Sequence, residues 1–222
     1  MKNSDSPSIL VICAHPDDEC IGAGGTIAVH SSMGIPVDVQ CLTANQIRKK
    51  ELEAACKELG VRKVYSSIRD DFALDMSLTK EVANVILESR PAIIITHSPD
   101  DYNQNHVICC QIVEQAAEWA SHKTVYENAH RVERIYHMEI NTLFSHPNVM
   151  MDISGSYDRA LSALLKYKTQ IAKSDGFYTK LYDARTRLRG VQSSCGRAEA
   201  FTVKVPYHAG PFYEKNSAKS LF

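Results

Sequence analysis

The sequence predicts an α/β fold: a single Rossmann-like domain spanning 1–222, with a mainly parallel sheet flanked by helices. Three observations carry this. Strand-like and helix-like runs alternate along the chain. The first run, 9–14, is continuously apolar, as a strand buried on both faces must be. Polar residues bunch just after the strand runs, where open α/β sheets build their sites.

After the first strand, 22–33 has helical character and stops before Gly34-Ile-Pro36. A second strand covers 37–42. The helix over 48–59 is amphipathic, with Leu52, Ala55, Cys56 and Leu59 on one face, and Gly60 supplies the stop. A third strand covers 61–66, and a helix over 78–89 turns Val82, Val85 and Ile86 inward. Pro91 opens a strand over 92–96, followed by a helix over 106–119. Strands over 132–139 and 149–153 and one late helix over 157–172 complete the pattern, and the tail after Pro206 reads as an irregular arm.

Composition narrows the function classes. The chain has 222 residues, enough for a substantial core in one domain. Its 44% apolar and 23% charged content is that of an ordinary globular protein. A net charge of −1 gives no field favouring nucleic acid or an anionic membrane. Seven cysteines, an odd count without Cys-x-x-Cys pairs, suit buried thiols in a reducing cytoplasm. The six-residue apolar run near the start is too short for a signal peptide, and no run spans a bilayer. A soluble cytoplasmic protein is the expectation; homo-oligomerisation stays open.

Two clusters carry the chemistry. His15-Pro-Asp-Asp-Glu19 places three adjacent acids at the end of the first strand. Like charges repel, so a bound cation is the economical explanation, although acids capping the following helix would also fit. Imidazole and carboxylate suit zinc, and a mixed N/O set also accepts iron, cobalt or manganese. The second cluster, His97-Ser-Pro-Asp-Asp-Tyr-Asn-Gln-Asn-His106, lies between the 92–96 strand and a helix start. Together His15, Asp18 and His106 offer three ligands and leave a fourth position for water, provided the two strands are neighbours.

These segments resemble the LmbE/PIG-L de-N-acetylase family. Ala14 to Glu19 matches its A-H-P-D-D-E signature, and Thr96 to His106 is similar to its T-H-x-P-x-D-x-x-x-D-H segment. Arg48-x-x-Glu51, Asp71-Phe-Ala-Leu74, Arg189-Gly-Val-Gln192 and Gly196-Arg-Ala-Glu-Ala-Phe201 resemble further family segments in the expected order. The resemblance implies a zinc-type centre held by His15, Asp18 and His106, with Asp17 as general base. The reaction it implies is hydrolysis of the N-acetyl group of an amino sugar or its conjugate. Two departures stand out. Asn103 occupies a position where the family often has histidine, and Asn105 one where it commonly has aspartate. An amide donates a hydrogen bond but carries no proton, so His97 or His137 is expected to supply part of the missing function.

Arg48 and Arg189 match family arginines and could hold a substrate hydroxyl, carboxylate or phosphate; a salt bridge across the fold is the competing reading. Glu19 is expected to orient its neighbours or cap a helix. Gly22-Ala-Gly-Gly25 lies too late after the strand for a phosphate loop and suits tight helix packing instead. Cys20 reads as a buried thiol, and no nucleophile elbow supports serine catalysis. Two rivals to the deacetylase reading remain: a broader amidase on the same scaffold, and a catalytically silent metal-binding module.

Overall fold

The computed structural model describes residues 7–203. Its elements in chain order are β1 (Ile9–Cys13), α1 (Asp18–Ser32), β2 (Val37–Cys41), α2 (Gln46–Leu59), β3 (Lys63–Ser66), α3 (Met76–Ser89), β4 (Ile93–His97) and α4 (Gln104–Ala120). Then follow β5 (Arg134–Met138), β6 (Val149–Asp152), α5 (Tyr157–Leu164), α6 (Lys168–Ser174), α7 (Phe177–Gln192) and β7 (Ala198–Val203). The seven strands form one sheet in the order β3-β2-β1-β4-β5-β7-β6. The first five of these are parallel to their neighbours. β7 runs antiparallel to both β5 and β6. The mainly parallel α/β fold read from the sequence is therefore the observed one.

β1 is buried throughout because helices cover both sides of the sheet. Its side chains alternate between two cores. Ile9, Val11 and Cys13 join the apolar cluster that includes α1, α2 and α5 residues. Leu10 and Ile12 join the cluster built with α3 and α4. Chain order reverses at β1, which lies between β2 and β4, so a crevice opens at the carboxyl ends of β1 and β4.

Local signals explain most boundaries. Asn45 caps α2 by accepting from the N–H groups of Ile47 and Arg48, and Gly60 ends the helix at φ 78°, a left-handed conformation natural to glycine. α1 begins at Asp18, four residues earlier than the expected start at 22, because the acidic motif itself forms the helix entry. The single helix expected over 157–172 is two, α5 and α6. The buried face of α5 (Tyr157, Ala160, Ala163, Leu164) ends at Leu164. The break then turns the fully buried Tyr167 inward, where its hydroxyl donates to Glu19.

α7 and β7 were not expected as elements. α7 buries Tyr182, Arg185, Thr186, Arg189 and Gly190. That face is polar and hides the apolar period on which helix recognition rests. The tail after Pro206 lies outside the described residues. Among the described residues no helix is long and apolar enough to cross a membrane.

The glycines of α1 act in packing. A Cβ on Gly25 would sit 2.7 Å from Ile153 Cβ, Cγ2 and Cδ1, and one on Gly22 would sit 2.5 Å from Met138 Sδ. Ile153 is β-branched and fully buried, so it has little room to yield. Gly25→Val is therefore expected to destabilise the fold by roughly 1–3 kcal/mol through overpacking. Denaturant unfolding checks this; an unchanged midpoint would contradict the close-packing account.

Candidate active site

The loop leaving β1 is held tightly. Asp17, at the entry to α1, has φ 109°, a left-handed conformation that costs a non-glycine residue energy. Three contacts maintain it. Arg48 Nη2 donates to Asp17 Oδ2 at 3.0 Å and also to the Pro16 carbonyl. The Asp17 N–H donates to Glu19 Oε2 at 3.1 Å. Glu19 is fully buried and also receives the Tyr167 hydroxyl, so it anchors the turn from below.

On the next strand, His97 closes β4 and Asn103 caps α4 by accepting the Asn105 N–H at 3.0 Å. His106 is thereby fixed in the first turn of α4. Because β1 and β4 pair directly, the two clusters meet. His15 Nδ1 lies 3.4 Å from Asp18 Oδ2, and His106 Nε2 lies 3.5 Å from Asp18 Oδ1. One ligand atom from each of His15, Asp18 and His106 lies within 4.8 Å of the others.

Asp101 stands behind His106, with Oδ2 3.2 Å from its Nδ1. It also accepts the N–H groups of Asn103 and Asn141. On the other side, Asn105 Nδ2 lies 3.2 Å from His15 Nε2. Both imidazoles thus have a polar group on the nitrogen facing away from Asp18, which fixes their ring orientation.

The electrostatics favour positive charge between these groups. Burial opposes charge on His106, but Asp18 and Asp101 outweigh it and raise its pKa to about 10. Burial likewise opposes ionisation of Asp18, yet the histidines around it hold its carboxyl well below the usual range. Asp101 falls to about 2, burial being outweighed by His106 and the backbone N–H of Asn103. Asp17 moves the other way: burial and the Asp18 charge raise it well above an ordinary carboxylate, and Arg48 offsets only part of this.

The cleft over this cluster has a volume of about 200 Å³. His15, Asp17, Asp18, Arg48, Asn103 and His106 line it, all singled out from the sequence. Ile140, Asn141, Gln170 and Tyr178 complete the lining and were not. Gln170 and Tyr178 come from helices whose register the sequence did not reveal. Asn141 follows β5 without any motif around it.

Three other sequence-predicted residues are placed differently. His97 is fully buried and cannot touch a substrate. Its Nε2 accepts the Ala14 N–H at 2.9 Å, and its ring stacks on His106 with centroids 4.0 Å apart. Burial lowers its pKa to about 4, so the ring is neutral at pH 7. It lies packed between the β1 end and His106. His137 is not brought to the cleft; its Nε2 lies 3.4 Å from Glu114 Oε1 on α4. Arg189 is buried against Glu139, with further donation to the Phe144 carbonyl and Gln192. The salt-bridge reading describes Arg189, whereas Arg48 both braces the loop and faces the cleft.

Comparison with known proteins agrees with the motifs. Residues 10–117 match the family model described as PIG-L, GlcNAc-PI de-N-acetylase. Over this segment, just under half of its length, the chain resembles the LmbE/PIG-L family. A Bacillus cereus relative described as a probable N-acetyl-alpha-D-glucosaminyl L-malate deacetylase 2 is 29% identical over 185 residues, covering 73% of this chain and 83% of that protein. A Pseudomonas putida relative described as a 4-oxalmesaconate hydratase is 23% identical, covering 90% of this chain and 91% of its own length. The crystal structure of the conserved protein TT1542 from Thermus thermophilus superposes with a TM-score of 0.83 at 24% identity, covering 94% of this chain and 99% of that one. That likeness establishes the shared fold.

The Arg189–Glu139 pair yields a stability prediction. Both side chains are almost fully buried, so Arg189→Ala leaves Glu139 uncompensated and should cost about 3–5 kcal/mol. Adding Glu139→Gln should recover part of the loss in equilibrium unfolding. A single variant as stable as the parent would show that the pair carries no structural role.

Proposed function

We propose that the protein is a metal-dependent hydrolase that removes the N-acetyl group from an amino sugar or sugar conjugate. The observation that carries the reading is the convergence of His15, Asp18 and His106, whose ligand atoms lie within 4.8 Å of one another beside a buried acid, Asp17. Two donors on one tetrahedral zinc ion lie about 3.3 Å apart, given zinc–ligand bonds of about 2.0–2.2 Å. His15 Nδ1 stands 3.4 Å from Asp18 Oδ2 and His106 Nε2 3.5 Å from Asp18 Oδ1, so each histidine lies near that spacing from one carboxylate oxygen, and small side-chain adjustments bring all three to one ion. Zinc is the expected ion, and another divalent transition metal suits the same donors. Bound there, it would supply Lewis acidity toward the acyl carbonyl and acidify water.

The remaining chemistry falls to the chain. Asp17 lines the cleft beside the three ligands without being one of them, which places it to accept a proton from water. It takes the proton from water as the oxygen attacks the acyl carbon, then delivers it to the amide nitrogen as the carbon–nitrogen bond breaks. Acetate and a free amine result. Arg48 keeps Asp17 aimed through its 3.0 Å contact. The oxygen of the Asn103 amide is engaged by the Asn105 N–H, which leaves its NH₂ for the cleft. That group can donate to the developing oxyanion but cannot carry a proton. Asp17 therefore performs both proton transfers. Asn105 supports His15 without charge, where an aspartate would add one.

The cleft's volume of about 200 Å³ is below the roughly 300–1,000 Å³ of sites for drug-sized ligands. It fits an acylated sugar end, with the rest of a conjugate outside. The N-acetylated sugar conjugate in the name of the Bacillus cereus relative supports this substrate class. The cysteines at 13, 20, 41, 56, 109 and 110 are buried, and no disulfide links the described residues, which supports a reducing, cytoplasmic setting.

Acetate release from a panel of N-acetylglucosamine conjugates tests the activity, alongside an assay for water addition to unsaturated dicarboxylic acids. Hydration without acetate release would instead place the chain with its hydratase relative. Asp17→Asn is expected to lower turnover about 10²–10⁴-fold while leaving metal content unchanged. His106→Ala is expected to lose one ion per chain by elemental analysis. Full turnover in the first variant, or unchanged metal in the second, would refute the assigned roles.

A further inference from the structure

We propose that Cys110, Glu114 and His137 form a second metal site, separate from the cleft, that takes a zinc-type divalent ion through one sulfur, one oxygen and one nitrogen. α4 carries Cys110 and Glu114 four residues apart, so both project from one helix face. His137 lies on β5. Its strand neighbour Ile135 packs with the α3/α4 core, and strand alternation turns His137 to that same side, beneath α4.

The geometry supports one shared ion. One ligand atom from each residue lies within 4.8 Å of the others. His137 Nε2 is 3.4 Å from Glu114 Oε1 and 3.8 Å from Cys110 Sγ. Donors sharing a tetrahedral zinc ion stand about 3.3 Å apart for nitrogen and oxygen and about 3.6 Å apart for nitrogen and sulfur. The three side chains need only small adjustments to meet those spacings.

The donor set also selects the ion. A thiolate excludes hard cations such as magnesium and calcium, which take oxygen ligands, and suits zinc or cobalt(II). Cys110 and His137 are buried, which favours neutralising the thiolate with a cation, while Glu114 is 30% exposed and marks the side from which an ion enters. Three protein ligands leave one coordination position open.

The location gives the ion a consequence. His106, Cys110 and Glu114 follow one another at four-residue intervals along the same face of α4. The midpoint of the second pair lies roughly 9 Å along the helix axis from His106. An ion there would pin α4 to β5 and steady the helix that presents His106 to the cleft. Ligand binding to the folded state alone also raises the unfolding temperature.

Cobalt(II) titration of the full chain tests the site, because sulfur-to-cobalt charge transfer absorbs in the near ultraviolet and the His15, Asp18 and His106 cluster contains no sulfur. The expected result is a charge-transfer band that saturates at one cobalt per chain. It should survive in Asp18→Asn and in Cys109→Ser, and vanish in Cys110→Ser. Glu114→Gln changes a half-buried surface position and should leave the fold intact. It should weaken cobalt binding at least tenfold in competition with a chelator. Absence of the band in the parent chain would overturn the proposal. So would its persistence in Cys110→Ser, or unchanged affinity in Glu114→Gln.

Discussion

The parallel pairing of β1 with β4 sets everything at the cleft. Ile9 lies opposite Ile93 and Val11 opposite Ile95, so the two strands end side by side. Residues at positions 15 and 106, 91 apart in sequence (106 − 15), thereby face each other across one crevice. Both faces of this pair are covered by apolar cores, which makes the register strict. A slip of one residue would turn Leu10 and Ile12 into the core that holds Ile9 and Val11. It would also carry the acidic loop out of reach of α4.

Around that junction the protein concentrates buried negative charge and compensates it unevenly. Glu19 is satisfied by a tyrosine hydroxyl and a backbone N–H, and Glu199 by Tyr182, Thr26 and the Gly25 N–H. Glu139 has Arg189. Asp18 and Asp101 rely on histidines. Asp17 pairs directly with Arg48 and sits in a strained conformation. Strain and incomplete compensation are tolerated where chemistry needs a poised group, and here they coincide on the residue next to the proposed ligand. The carboxylates that support the fold hold two or more hydrogen-bond donors or a buried arginine.

The sequence disclosed the strand runs, the alternation and the acidic motif, because these rest on local pattern. Apolar continuity marked β1 and β4, and Gly60 carries the helix-end chemistry expected of it. The cleft residues from 15 to 106 were legible for the same reason. What remained hidden depends on long-range placement. α7 buries arginines and a threonine, so its inward face looks like a solvated one. With that helix unread, Tyr178 had no register, and Arg189 could not be assigned to Glu139 rather than to a substrate. His137 shows the same limit. The missing histidine at Asn103 suggested a role for it at the cleft, but strand alternation turns it under α4 toward Cys110 and Glu114. His97 carried a motif position without carrying exposure, which only the packed structure reveals.

Anomalous diffraction from crystals of the zinc-loaded protein tests the central claim most directly. The account predicts a peak within bonding distance of His15, Asp18 and His106, at the junction of the β1 and β4 ends. Strong zinc peaks elsewhere, with none among those three side chains at full loading, would contradict it.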